Sequence, residues 1–174
     1  AARSGWTSYP PLSVFENGQT MWLISMIFLI TSSLLGSMNI IVTIVQLRAP
    51  GLTWMRLSVF VWAQFVTSFL LVLAFPPLEA AAILQLMDRV AGTSFFLPSG
   101  LVLSGEMVDV AGYGSPLLWQ HLFWIFGHPE VYVIMLPVFG FTNTMMSFYL
   151  RKRVSARASL LYSMYTIAFL GFFV

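Results

Sequence analysis

Two histidines, a glutamate and a tyrosine lie within an otherwise apolar stretch, WQHLFWIFGHPEVYVIMLPVFG, at residues 119–140. A membrane-spanning helix normally excludes ionisable side chains, because burying them in hydrocarbon is costly. An imidazole suits copper and other transition metals, and a carboxyl or a phenol can hold and release a proton. The stretch therefore indicates metal, redox or proton chemistry on a helix inside a membrane.

Helical spacing relates these side chains to one another. His128 and Tyr132 are four residues apart, and Trp124 precedes His128 by four, so all three share one helix face. Glu130 follows His128 by two residues and projects about 160° away around the helix. It also lies about 20 Å beyond Leu117 along the helix axis, well inside a bilayer. The helix thus presents a face suited to a metal and redox chemistry, and a carboxylate apart from it.

Each of these residues also has a structural explanation. An intramembrane histidine can be a hydrogen-bonded core residue, a tyrosine can simply pack, and a carboxyl can stay protonated within a bundle. Pro129 and Pro137 remove backbone donors, which either opens a hydrated path or produces an ordinary packing kink. His121 lies two turns before His128, so spacing alone invites a second metal ligand. The combination of three such side chains within five residues favours a function.

The composition is that of an integral membrane protein. Of 174 residues, 59% are hydrophobic and 8% are charged, whereas a soluble domain is about 25% charged. Too little polar surface is present to cover a water-facing globule. The net charge of +2 rests on only eight basic residues, so we expect no nucleic-acid partner. The absence of cysteine excludes disulfides and thiolate metal sites within this chain.

Four apolar segments predict an all-α fold, a polytopic transmembrane helix bundle with three full spans and one truncated span. Backbone groups in hydrocarbon must be satisfied internally, which favours helices, and no alternating β-barrel pattern recurs. We expect one membrane domain, residues 1–174, that is part of a larger subunit. The last segment has 16 residues against the roughly 20 that a span needs, so we expect a split or truncated chain. The segments lie at about 20–47, 57–87, 117–150 and 159–174.

Basic residues are concentrated in two connections. The segment Arg48–Arg56 holds two of the eight and residues 151–158 hold four, whereas the long loop Asp88–Ser115 holds one. The positive-inside rule places the two basic connections on the cytoplasmic side and the long loop outside. The long loop is either a surface cap packed on neighbouring subunits or a direct functional contact.

The stretch WQHLFWIFGHPEVY resembles the sixth-helix signature of subunit I of the haem–copper oxidases, in the branch that includes cytochrome c oxidase. Other segments look like successive landmarks of helices four to seven of that family: GWTSYPPLS, TSSLLGSMNIIVTI, RAPGLTWMRLSVFVW, LMDRVAGTSFF and TIAFLGFFV. The resemblance implies part of the catalytic subunit of a respiratory terminal oxidase. Its reaction would be the reduction of oxygen to water, coupled to proton uptake and pumping.

The resemblance also implies roles for single residues. His128 matches the histidine that ligates the active-site copper, and Tyr132 matches a tyrosine covalently joined to that histidine, which supplies an electron and a proton to oxygen. Trp124 matches a tryptophan beside the metal pair. Glu130 matches the carboxyl from which protons pass to oxygen or to the pump. The family has no metal ligand at the position of His121, for which we expect a hydrogen bond near the outer surface.

Other positions match or depart from the family pattern. Ser32 and Ser33 match a serine pair that lines the upper part of a proton path. Asn143 stands where many members have a serine of the second proton path, and Leu97 replaces an aspartate. Glu79 stands where small apolar residues are common, and is either a structural carboxyl near the surface or part of a modified exit route.

The implied cofactors are copper and a high-spin haem at the active site, with a second haem in the complete subunit. Of the family's metal-binding histidines, this chain matches only His128. The implied partners are the remainder of subunit I, subunits II and III, oxygen, the lipid bilayer and an electron donor such as cytochrome c. The implied location is a respiratory membrane, bacterial plasma or mitochondrial inner, with the bacterial one favoured.

Three alternatives stay open. A nitric oxide reductase would share the fold, but GHPEVY with Tyr132 fits the oxygen-reducing branch better. A redox-inactive proton conductor would use Glu130 alone. A purely structural membrane subunit would use no chemistry from these side chains.

Overall fold

The computed structural model describes residues 2–110, 112–152 and 156–173. Over these residues most of the chain is helical, which confirms the all-α prediction. The only strands among them form a short antiparallel hairpin in the long loop. The elements are α1 Leu12–Phe15, α2 Gln19–Gln46, α3 Val59–Val90, β1 Val102–Leu103, β2 Glu106–Met107, α4 Pro116–Leu150 and α5 Arg157–Leu170, with 3-10 turns at Trp54–Arg56 and Gly171–Phe173.

Helices α2, α3 and α4 are each long and apolar enough to cross a membrane. They contain 28, 32 and 35 residues, so they extend for about 42 to 52 Å against a hydrocarbon core of about 30 Å. Each begins and ends within three residues of the predicted span. The fourth predicted span, 159–174, corresponds to α5 and the 3-10 turn after it, and its last residue lies outside the described residues. So do residues 153–155 of the basic connection.

Helix α4 continues through both of its prolines. Because proline has no N–H, the carbonyl four residues earlier loses its usual intrahelical donor. Pro129 and Pro137 therefore leave the carbonyls of Ile125 and Val133 as acceptors in the middle of the helix. Pro76 and Pro77 do the same within α3.

The described residues divide into two compact units, Ala1–Ser32 with Phe75–Phe126 and Ser33–Ala74 with Gly127–Val174. The single membrane domain therefore stays a prediction.

A buried polar network fixes the N-terminal segment of the first unit. Gln19 Nε2 donates to Ser8 Oγ at 2.9 Å, and Gln85 Nε2 donates to Ser13 Oγ at 2.5 Å and to the Ser8 carbonyl at 3.2 Å. All four side chains are fully buried. An unsatisfied amide in such surroundings would cost several kcal/mol, roughly 2–7. The network therefore holds the N-terminal segment against α2 and α3.

The long loop of the first unit is anchored by Asp88, near the end of α3. Its carboxylate accepts hydrogen bonds from Thr93 Oγ1 at 2.6 Å and from the N–H groups of Phe95 at 2.8 Å and Phe96 at 2.9 Å. The Phe96 ring is buried and meets Trp119 of α4 edge to face, with centroids 5.5 Å apart. The Asp88 carboxylate therefore fixes the conformation of the backbone at the start of the loop.

Small side chains bring α3 and α4 close together in the second unit. A Cβ atom added at Gly140 would lie 2.5 Å from Ala63 Cβ and 3.1 Å from Phe60 Cα. In a membrane, where lipid is as apolar as the side chains, such close approach is a main source of helix association. The core around this contact comprises Val59, Ala63, Val66, Leu70, Leu136, Met164 and Ala168.

Gly140→Ala should destabilise the full-length protein by about 1–3 kcal/mol, because the new methyl group overlaps that of Ala63. The double variant Gly140→Ala/Ala63→Gly removes the overlapping methyl group and should recover most of the loss. The measurement is the thermal unfolding midpoint of the purified membrane protein. Equal midpoints for Gly140→Ala and the parent would show that the helices do not approach so closely.

Candidate functional site

His128 and Tyr132 of α4 lie in direct contact. Their ring centroids are 4.8 Å apart and the ring planes are inclined by 73°, an edge-to-face arrangement. The four-residue spacing brings them to the same helix face, and both side chains are half-buried. Imidazole and phenol are therefore neighbours without any further element being needed to join them.

The Nε2 atom of His128 is buried and has no hydrogen-bond partner among the described residues. Leaving a buried polar atom unpaired costs about 1–3 kcal/mol, so such atoms in native proteins call for an explanation. The lone pair of a neutral imidazole nitrogen is a common metal ligand. The environment of Nε2 fits one ligand position of a metal whose other ligands come from elsewhere.

This part of the chain does not supply a complete metal centre. In the described residues no group of three or more histidine, cysteine, aspartate or glutamate side chains lies close enough to hold a metal ion. That only His128 of the implied ligand set is present here stays a prediction. Copper at this position would depend on further ligands.

Gly171, the residue that follows α5, packs closely against His128 and Tyr132. A Cβ atom added at Gly171 would lie 2.9 Å from Tyr132 Cδ2, 3.0 Å from Tyr132 Cε2 and 4.0 Å from His128 Cδ2. Only a glycine allows the backbone to come this close to the phenol ring. Gly171 is not predicted as a site residue, because a glycine in an apolar run does not reveal which ring it will face.

An apolar cavity of about 320 Å³ adjoins the phenol on α4. Tyr132 contributes to its lining together with residues of α4 and α5: Met135, Leu136, Phe139, Ile167 and Leu170. Among the described residues, none packs closely against the phenol on this side.

Glu130 is half-buried on α4, and the residue before it, Pro129, is fully buried. The predicted proton-path serines lie on α2, with Ser32 exposed and Ser33 half-buried. The backbone carbonyl of Ser33 accepts a hydrogen bond from Ser37 Oγ at 2.8 Å. The path from these serines to Glu130 stays a prediction.

Trp124 belongs to an aromatic cluster of the first unit. Its Nε1–H donates to the Tyr9 hydroxyl at 2.6 Å, and its ring meets those of Phe123 and Trp6 edge to face. Sequence spacing does not predict the tyrosine partner, because the two residues are 115 positions apart. The role of Trp124 beside a cofactor stays a prediction.

Three polar residues other than His128 and Tyr132 have hydrogen-bond partners. His121 Nδ1 donates to the Leu117 carbonyl at 2.7 Å, which is the kind of contact expected for it. Asn143 Nδ2 donates to the Phe139 carbonyl at 2.8 Å, so its side chain is engaged with its own helix. Glu79 lies 2.7 Å from the hydroxyl of Thr31 on α2.

Comparison with known proteins settles the family. The model of the family described as "Cytochrome C and Quinol oxidase polypeptide I" matches residues 1–174. The chain belongs to this oxidase family. The membership confirms the resemblance that the GHPEVY motif indicated, and it accounts for the three helices long enough to span a membrane.

Bacterial relatives of the oxidase family cover the chain almost completely. It is 40% identical to cytochrome c oxidase subunit 1 of Bacillus sp. strain PS3 over an alignment of 177 positions, which covers all of this chain and 27% of that protein. It is 40% identical to cytochrome c oxidase subunit 1 of Bacillus subtilis strain 168, over all of this chain and 26% of that protein. The alternative cytochrome c oxidase subunit 1 of Bradyrhizobium diazoefficiens is also 40% identical, over 98% of this chain and 30% of its own length. The chain therefore spans roughly a quarter to a third of the length of these relatives.

Gly171→Ala in the full-length oxidase polypeptide should displace the Tyr132 ring, because the added methyl group would lie 2.9 Å from Cδ2. We expect a lower unfolding midpoint and a shifted phenol ring in a cryo-EM map. Gly36→Ala on α2 is the matched control, since a Cβ atom there meets nothing within 4 Å among the described residues. If Gly171→Ala were as stable as the parent and the Tyr132 ring had not moved, the close approach of Gly171 to that ring would be contradicted.

Proposed function

We propose that this chain is part of the catalytic subunit of a respiratory terminal oxidase that reduces oxygen to water at a haem–copper centre. The observation that supports it best is the buried, unpartnered Nε2 of His128 in edge contact with Tyr132. Membership of the oxidase family supports the same proposal. Proton uptake and pumping form part of it, with Glu130 and the serines of α2 as the groups in this chain.

In this proposal His128 supplies one imidazole ligand to copper. Copper with a neighbouring high-spin haem would supply the electron transfer to oxygen when both are bound. The contact with Tyr132 orients the imidazole ring, and Gly171 packs closely against the phenol. The remaining copper ligands and the ligands of both haems come from the remainder of subunit I.

The phenol and the carboxyl of α4 take different parts in the proposed chemistry. Tyr132 is the proposed proton donor, through its hydroxyl group, and the family resemblance implies that its ring is covalently joined to His128. Glu130 projects about 160° away, so its carboxyl receives protons on another side of the helix. Ser32 and Ser33 are proposed to lie on the path that leads to Glu130. Trp124 is proposed to pack beside the cofactors, held by Tyr9.

The proposed partners follow from the family and the relatives. They are subunits II and III, an electron donor such as cytochrome c, oxygen and the surrounding lipid. The three relatives named above are bacterial, which favours a bacterial plasma membrane over the mitochondrial inner membrane. Nitric oxide reduction, a redox-inactive proton conductor and a structural subunit are the alternatives that the following experiments separate.

His128→Gln in the purified full-length complex should remove bound copper and reduce oxygen consumption by at least about 100-fold, because a metal centre loses a ligand. The measurements are metal content per haem, the optical haem spectrum and oxygen uptake. His121→Gln is the matched control and should retain copper and turnover, since His121 is engaged with Leu117. Unchanged copper and turnover in His128→Gln would refute the proposed ligand.

Glu130→Gln should slow turnover by about 10²–10⁴-fold while leaving the haem spectrum intact, because an amide cannot pass a proton on. Glu130→Asp should retain part of the activity, since it keeps the carboxyl. The measurements are oxygen uptake and proton release by the complex in vesicles. Glu106→Gln, in the exposed strand β2, should behave like the parent. Wild-type turnover in Glu130→Gln would place the proton path elsewhere.

A further inference from the structure

A cavity lined by basic side chains lies in the second unit, apart from His128 and Tyr132. It has a volume of about 810 Å³ and opens where α3 and α5 begin and α4 ends. Four cationic side chains line it, and its described lining contains no aspartate or glutamate. The four are Arg56, Arg151, Lys152 and Arg157. Without an anion in the cavity these charges would repel one another.

The guanidinium of Arg157 needs an acceptor. Its Nε and Nη2 atoms are buried and have no hydrogen-bond partner among the described residues. Breaking or omitting the partner of a buried charge is strongly destabilising, so this arrangement calls for an anionic group. Guanidinium donors bind the oxygens of phosphate in a bidentate manner, which makes phosphate a well-matched occupant.

A hydroxyl in the same lining adds a donor. Ser58 Oγ accepts a hydrogen bond from the Val61 N–H at 3.2 Å, so the hydrogen of its hydroxyl remains to be donated. Arg157 begins α5, where no side chain caps the helix. The partial positive charge of that helix end acts in the same direction as the four cations.

The position of the cavity selects the source of the phosphate. It lies at the ends of two helices that are long enough to cross a membrane, on the side that carries six of the eight basic residues. Met55 and Phe148 line it as well, and they are 62% and 74% exposed. Cationic and apolar groups are thus adjacent at the level of the membrane surface. Basic pockets between transmembrane helices on the cytoplasmic side bind anionic lipid headgroups.

We propose that this cavity binds the phosphate of an anionic phospholipid of the cytoplasmic leaflet. The guanidinium groups and Ser58 hold the headgroup, and Met55 and Phe148 contact the start of an acyl chain. No residue of the proposed redox site lines the cavity, so the lipid site stands independently of the oxidase chemistry.

Photolabelling of the full-length complex in nanodiscs tests the site. The probe is phosphatidylglycerol with a diazirine in its acyl chain, in a phosphatidylcholine background, and labelled peptides are mapped by mass spectrometry. We expect labelling of the peptides that contain Met55 or Phe148. The variant Arg56→Gln/Arg157→Gln should reduce it by about tenfold or more, since each cation at an anionic surface adds about tenfold or less in affinity.

Controls separate a lipid from other occupants. Arg48 lies in the same connection as Arg56, but its guanidinium stacks on Trp54 and does not line the cavity. Labelling of the Arg48→Gln variant should therefore match that of the parent. A phosphatidylcholine probe should label these peptides weakly, and labelling of the parent by phosphatidylglycerol should fall as salt is raised. The salt series uses the parent protein, so it decides the question even if the double variant fails to assemble.

Three outcomes would overturn the proposal. Equal labelling of the double variant and the parent would remove the role of the cations. Equal labelling by both lipids would show a non-specific surface. Loss of labelling on adding millimolar inorganic phosphate, at constant ionic strength, would identify a site for free anions instead of lipid.

Discussion

A polar group surrounded by apolar side chains must find its partner within the protein, and this constraint shapes most of what the structure shows. It makes the spans helical, since a helix satisfies its own backbone. It pairs Gln19 with Ser8, Asp88 with the N–H groups of Phe95 and Phe96, and His121 with the Leu117 carbonyl. Against that background the few buried polar atoms that have no partner among the described residues stand out, and they include Nε2 of His128 and Nε and Nη2 of Arg157.

The periodic part of the structure was predictable from the sequence. Hydropathy and charge located α2, α3 and α4 within three residues of their observed ends, because a run of about 20 or more apolar residues has few other folds available. The contact of His128 with Tyr132 was predictable too, since a four-residue spacing on a helix requires no tertiary information. The hairpin at β1 and β2 was not predicted, because it depends on turn geometry in a loop with no strong pattern.

The partners that are distant in sequence were not predictable. Neither the approach of Gly171 to Tyr132 nor the hydrogen bond from Trp124 to Tyr9 follows from any periodicity. Basic residues counted in loops gave an orientation, yet a count does not show that four of them line one cavity. Glycine and serine positions carry little signal by themselves, because what they permit depends on the element that packs against them.

Helix α4 carries the imidazole and the carboxyl two residues apart on a single rigid rod. A rotation of that rod about its own axis that advances one group withdraws the other from whatever faces it. The positions of the imidazole and of the carboxyl are therefore linked, and neither can be adjusted alone without bending the helix. The prolines at 129 and 137 are where such bending meets the least resistance, because there the backbone lacks a donor.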